Sequence, residues 1–378
     1  MVVTAFIWLL PQGVAAQDSG VLAAPRVTVD QVTLAHANSA RAQIAVQGDR
    51  LLFERVDFDG FSRVWTSRLD GTFERCLTCD NPDFRQSHTG VARWHPSGNL
   101  IAFLVERPLQ KNKRRGTDRV SKPTPFIAIP GRNRSSDIWL ASADGKRFWN
   151  LTNSANRGGN PVYTFAFSHE GNVLAWSERE ASASGSLWGA WVLQVGSFRI
   201  ARATPKLSKV VSHRPTGPGF VSVNEFAADD LAIDVAATPR ELPSTVEGQD
   251  LFRYHLTNRR VEPWTETPTA WDDYLTFSPV DDLAVFSSSG GFPPAAPLQR
   301  QTPSFLPITE LWIANEKGDL LTALTGFNDP LSPYYLGEPA HVGPATWTAD
   351  GRALLVTVTP ISDPFSPALF RVEISVSG

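Results

Sequence analysis

A strand, a tight polar turn and a second strand recur along the whole chain, and this repeat constrains the fold more than any other feature. "GVARWHPSGNLIAFLVER" (90–107) begins a unit. "YTFAFSHEGNVLAWSE" (163–178), "VNEFAADDLAIDV" (223–235), "DYLTFSPVDDLAVFSS" (273–288) and "PATWTADGRALLVTV" (344–358) repeat its core, and "AQIAVQGDRLLFERV" (42–56) is a degenerate first copy. Gly or Asp at each turn permits the positive φ that a tight hairpin needs. The apolar alternation that follows fits a strand packed between sheets.

A second hairpin follows most copies. "SRVWTSRLDGTFERCLT" (62–78), "SDIWLASADGKRFWNLT" (136–152) and "TELWIANEKGDLLTALT" (309–325) are near twins, and "QDLFRYHLTNRRVEPWT" (249–265) is looser. Each unit is thus a four-stranded meander with two apolar faces. A lone meander cannot bury both. Meanders stacked in a ring can, whereas a linear stack leaves two naked edges. The expected class is all-β: a β-propeller of six four-stranded blades. Seven stay open if a cryptic unit hides in an insertion. The last copy has room for three strands only, so "PRVTVDQVTL" (25–34) is expected to supply the fourth and close the ring.

"FSPVDD", "WHPSGN", "FSHEGN" and "WTADGR", with "DIWLASADGKRFWNLT", resemble the two halves of the TolB-like (WD40-like, PD40) propeller repeat. The resemblance covers residues 42–375. It implies the propeller fold and an exported bacterial setting, while such propellers serve as scaffolds, binding modules and enzyme appendages. Such folds host many functions, so the function must be argued from the site.

The start, "MVVTAFIWLLPQGVAAQ", holds an apolar run too short to span a bilayer, then a breaker and a small-residue stretch. Residues 1–16 are read as a signal peptide, although no Lys or Arg precedes the run, and 17–378 as one propeller domain. No later stretch reads as a transmembrane helix. The expected location is periplasmic or secreted, and the expected state a monomer. A net charge of −3 argues against a general nucleic-acid binder.

The two cysteines, Cys76 and Cys79, form C-x-x-C. Asp80 after the second excludes the usual haem attachment, and the lack of a second pair argues against structural zinc. A local disulfide is expected, with a metal site recruiting His88 as the sharper alternative. No phosphate-cradling or nucleophile-elbow motif occurs, and no cofactor is expected.

Turns within the hairpins are short everywhere, whereas the connections 107–135, 179–186, 288–308, 327–343 and 359–367 are long. In a propeller these long connections share one face, and long loops on a rigid scaffold are where binding usually resides. Lys113, Arg114 and Arg115 sit in a strongly basic loop suited to an anionic partner, while Phe305, Tyr334 and Tyr335 suit a protein or carbohydrate. His88 and His341 occupy equivalent positions at the start of inner strands near the channel mouth. With Glu106 or Glu338 they could hold a metal; alternatively, each caps a strand or bonds a neighbouring loop. The leading expectation is a non-catalytic scaffold binding a protein or anionic polymer on the long-looped face. The alternative is a metal-assisted, lyase-like enzyme acting on an anionic polysaccharide.

Overall fold

The structure is a computed structural model. It describes residues 26–45, 49–106, 136–153, 161–180, 189–201, 204–240, 248–267, 269–292, 306–315, 318–363 and 366–377. These form six antiparallel four-stranded sheets, the six blades of a β-propeller.

From the channel outward, blade I runs Ser39–Ile44, Arg50–Val56, Ser62–Arg68 and Arg75–Cys76. Blade II runs Thr89–Trp94, Leu100–Glu106, Ser136–Ser142 and Phe148–Asn150. Blade III runs Val162–Phe167, Val173–Arg179, Trp191–Ala201 and Thr204–His213. Blade IV runs Val221–Phe226, Ala232–Ala237, Asp250–His255 and Val261–Pro263. Blade V runs Asp272–Phe277, Leu283–Ser288, Glu310–Asn315 and Leu320–Ala323.

Blade VI takes Ala340–Trp347, Ala353–Pro360 and Ala368–Ser377 from the C-terminus and its outer strand, Arg26–His36, from the other end of the chain. Arg26 lies opposite Ser377, and the pairing continues to His36 opposite Leu369. The closure expected from the missing fourth strand is present. Blade III departs from the repeat. Its outer hairpin lacks the Asp-Gly turn and uses two long strands of 11 and 10 residues, which is why the second half of the repeat fades there in the sequence.

The second strands explain the ring. Leu100–Glu106 is buried at all seven positions, and so is Ala232–Ala237 at all six. A strand covered on both faces needs a sheet on each side, and the neighbouring blades supply them. Apolar cores accordingly lie between blades. Phe84, from the turn Pro82–Phe84, is one plug: the rings of Trp139, Phe148 and Phe103 meet it edge-on at 5.1, 5.4 and 5.6 Å.

Every inner strand is irregular at mid-length. Arg41–Ala42, Val91–Ala92, Tyr163–Thr164, Tyr274–Leu275 and Gly343–Pro344 fall at register shifts against the second strand, and Asn224 is a lone insert. These are β-bulges, which leave ladder N–H groups unpaired and kink the strand. Side chains of the preceding blade accept several of those donors. Arg41 N–H donates to Thr357 Oγ1 at 2.9 Å, Val91 N–H to Glu54 at 2.5 Å and Val223 N–H to Thr164 Oγ1 at 2.6 Å; past the blade V bulge, Phe277 N–H likewise donates to Glu225 at 2.8 Å. The bulges therefore join blade to blade while satisfying buried backbone.

Candidate functional site

His88 and His341 sit at equivalent positions and do equivalent structural work. Ser62, which opens the third strand of blade I, donates its N–H to His88 Nδ1 at 3.0 Å. His341 Nδ1 lies 3.0 Å from the carbonyl of Pro307 and 3.1 Å from Thr309 Oγ1, both just ahead of the third strand of blade V. Each histidine thus ties its inner strand to the blade before it. The residue at the start of the third strand repeats this tie elsewhere. Ser136 bonds Val162, Trp191 bonds Gly219 and Thr309 bonds Val342. His88 is 1% exposed and His341 5%. Burial, with a further push from Arg41, lowers the His341 pKa to about 4. Of the two readings of this pair, the geometry matches a strand cap bonded to a neighbouring loop. Of the carboxylates weighed as partners, Glu106 neighbours His88 through a backbone bond from its N–H to the His88 carbonyl, and Glu338 accepts from Ser362. No group of three metal-ligating side chains forms among the described residues.

The remaining expected residues divide. Lys113, Arg114, Arg115 and Phe305 lie outside the described residues. Tyr334 and Tyr335 are half-buried in the connection between blades V and VI, whose Leu331 and Leu336 are 93% and 36% exposed. Phe58, in the blade I connection on the same face, is 99% exposed. Cys76 and Cys79 are disulfide-bonded, with Cα atoms 5.7 Å apart, at the outer edge of blade I.

The short turns of the opposite face are latched to one another. His95 Nε2 lies 2.9 Å from the Gly171 carbonyl. A Cβ on Gly171, which has φ +70°, would meet that imidazole at 2.6 Å, so the latch requires glycine. His169 pairs with Asp230 at 2.8 Å, and Arg50 donates to the Gly98 carbonyl at 3.0 Å. Single apolar residues still protrude on this face: Phe73, Ile200, Leu231 and Val280.

The convergence of polar groups lies deeper, where the six bulges surround the channel. A cavity of about 120 Å³ there takes wall residues from every blade, among them Arg41, Arg93, Tyr163, Glu225, Tyr274 and Thr346. Arg41 is ion-paired with buried Glu54 at 3.1 Å. Glu225 accepts from Phe277 N–H and from Thr276 Oγ1 at 3.3 Å. Burial raises the pKa values of Glu225 and of neighbouring Asp273 to about 7, and that of Tyr274 to about 12. Arg41, Val91 and Tyr274 hold φ of 47°, 49° and 63°. The left-handed region is uncommon for any non-glycine residue and a marked outlier for a β-branched one such as Val91.

Sequence reasoning passed over this ring. One signal was legible: the residue before the aromatic that closes the inner strand is Ala166, Thr276 or Thr346 in three blades, but Arg93 and Glu225 in two others. A charge at a position others fill with small residues marks an unusual environment, although the bulge that aims it inward leaves no mark of its own.

No protein-family model and no curated protein sequence matches the chain. Solved structures do. A protein from Agrobacterium tumefaciens assigned as a TolB is 14% identical with a TM-score of 0.50, over 88% of this chain and 90% of that one. TolB from Acinetobacter baumannii is 12% identical with a TM-score of 0.42, over 87% of this chain; the chain spans 65% of its length. An oligogalacturonate lyase from Vibrio parahaemolyticus is 11% identical with a TM-score of 0.47, over 93% and 96%. Identities this low speak to the fold. With six blades and strand closure across the termini, the chain has the fold of a TolB-like β-propeller.

Proposed function

We propose that this propeller is an exported, non-catalytic binding module that engages a protein or an anionic polymer on its long-looped face. One contrast carries the reading. The turns of one face are short throughout and bonded blade to blade, which leaves little chain there to shape a binding surface. The opposite face carries all the long connections, and its described part presents Phe58, Leu331 and Leu336 to solvent. Long loops on a rigid frame can vary in length and sequence to suit a partner without unsettling the fold. The alternative of a lyase acting on an anionic polysaccharide ranks second, because both histidines that suggested it bond neighbouring blades.

The test is a hydrogen-exchange footprint with partner recovered from the native cell envelope. Protection of 57–61 and 327–339 supports the reading, and protection confined to the short turns overturns it. If the basic loop makes the contact, reversing charge at Lys113, Arg114 and Arg115 weakens binding and removes its salt sensitivity. If Tyr334 and Tyr335 make it through apolar burial, that triple variant binds as wild type. Export is checked by fractionating cells that express the full chain and its 17–378 form.

A further inference from the structure

The polar groups around the mid-channel cavity do not balance. Of the acceptors here, Gln43 Oε1 takes the Trp94 N–H at 2.5 Å and both Glu225 oxygens take donors from blade V, while the buried Asp273 Oδ2 has no hydrogen-bond partner. Donors are left over. Arg93, half-buried on the cavity wall, makes no hydrogen bond or ion pair with any described residue. Asn224, the lone bulge residue of blade IV, is 4% exposed, and its Nδ2 has no acceptor. A buried donor without an acceptor is costly, and a guanidinium facing a cavity without a partner calls for an acceptor from outside the chain.

Charge narrows the class. Arg41 is neutralised by Glu54. Arg93 feels Glu225 and Asp273, but burial holds both carboxyls near neutral pH, so in mild acid they are largely protonated and the Arg93 charge is left over. One spare positive charge suits a monoanion; a dianion such as phosphate meets the carboxyls as a second charge. A guanidinium presents two parallel N–H groups that match a carboxylate. Strain points the same way. Val91, two residues before Arg93, is held at φ 49°, and a bulge is a standard means of re-aiming the side chains that follow it.

We infer that the mid-channel cavity is a binding site for a small carboxylate, held by the Arg93 guanidinium, with Asn224 lining the same cavity two blades further on. The site is distinct from the long-looped face and independent of the partner proposed for it.

The probe is acetate, titrated into the full propeller at pH 6 against chloride at matched ionic strength, and followed by calorimetry and saturation-transfer NMR. Saturable acetate binding is expected. Arg93→Gln should weaken it at least tenfold, whereas reversing charge at Lys113, Arg114 and Arg115 should leave it within twofold. If Arg93→Gln does not fold, Arg93→Lys, which keeps the charge and loses the paired N–H geometry, should weaken acetate about threefold or more. The inference is overturned if acetate shows no saturable binding beyond chloride, or if the folded Arg93 variant binds like wild type. It also fails if the basic-loop variant abolishes binding, or if methylammonium binds more tightly than acetate.

Discussion

The channel mouth and the middle of the channel both concentrate ionisable groups, yet they are built on opposite terms. At the mouth, His88 and His341 stand where the eye looks for chemistry, and each is bonded into the preceding blade. At mid-channel, residues with no motif around them meet in a cavity with donors left over and backbone strain beneath them. Residue type alone therefore misleads. A histidine bonded at Nδ1 and buried at the start of a strand acts as a fastener, while an arginine in an ordinary strand pattern can be the group left for a ligand.

The sharpest break between the regions is expected at Glu54. It is the buried acceptor for both the bulged Val91 N–H and Arg41. Glu54→Ala leaves a buried cation and a buried amide unpaired, and should cost about 3–5 kcal/mol in urea unfolding. A loss under 1 kcal/mol would mean the ring does not depend on its bulge acceptors.

The next test exploits pH, because the two regions titrate with opposite sign. Glu225 and Asp273 are raised to about 7 in the folded chain, so between roughly pH 4.5 and 7 the native state holds protons the unfolded state has lost. Their contribution to stability falls as pH rises through that window. His341 is lowered to about 4, so the unfolded state binds the extra proton between roughly pH 6.5 and 4, and its contribution is lost as pH falls. Relative to wild type, Glu225→Gln with Asp273→Asn should gain stability from pH 5 to pH 8, on the order of 3 kcal/mol per group at most. His341→Gln should gain relative stability from pH 7 to pH 4, by a similar amount for its single group. Parallel trends in the two variants would refute the contrast.

His88→Ala tests the mouth at neutral pH. Removing the acceptor for Ser62 N–H should cost about 1–3 kcal/mol, measured as a fall in the urea midpoint at unchanged slope. The smallest effect belongs to the basic loop: reversing charge at Lys113, Arg114 and Arg115 should shift stability by no more than about 0.5 kcal/mol, whatever it does to binding.

The sequence by itself determined the architecture. Six copies of a strand–turn–strand core, with Gly or Asp at the turns, specify sheets that must stack, because every second strand is apolar on both faces. The deficit of one strand in the last copy foretold closure by the N-terminal segment, and pairing of Arg26–His36 with Ala368–Ser377 fulfils it. Local chemistry suffices for such features, since periodicity and turn residues act over a few positions. Blade III shows the limit: its outer hairpin lacks the turn signature, and only strand pairing across Trp191–Ala201 and Thr204–His213 reveals it. The cavity was decided entirely by tertiary structure. Arg93, Asn224, Glu225 and Tyr274 come from three blades, and each lies at or beside a bulge; in blades II and IV a side chain of the neighbouring blade accepts an N–H there, and in blade V Asp273 of the same strand does. A relation between blades is not a property of any one segment, so no stretch of sequence carries it.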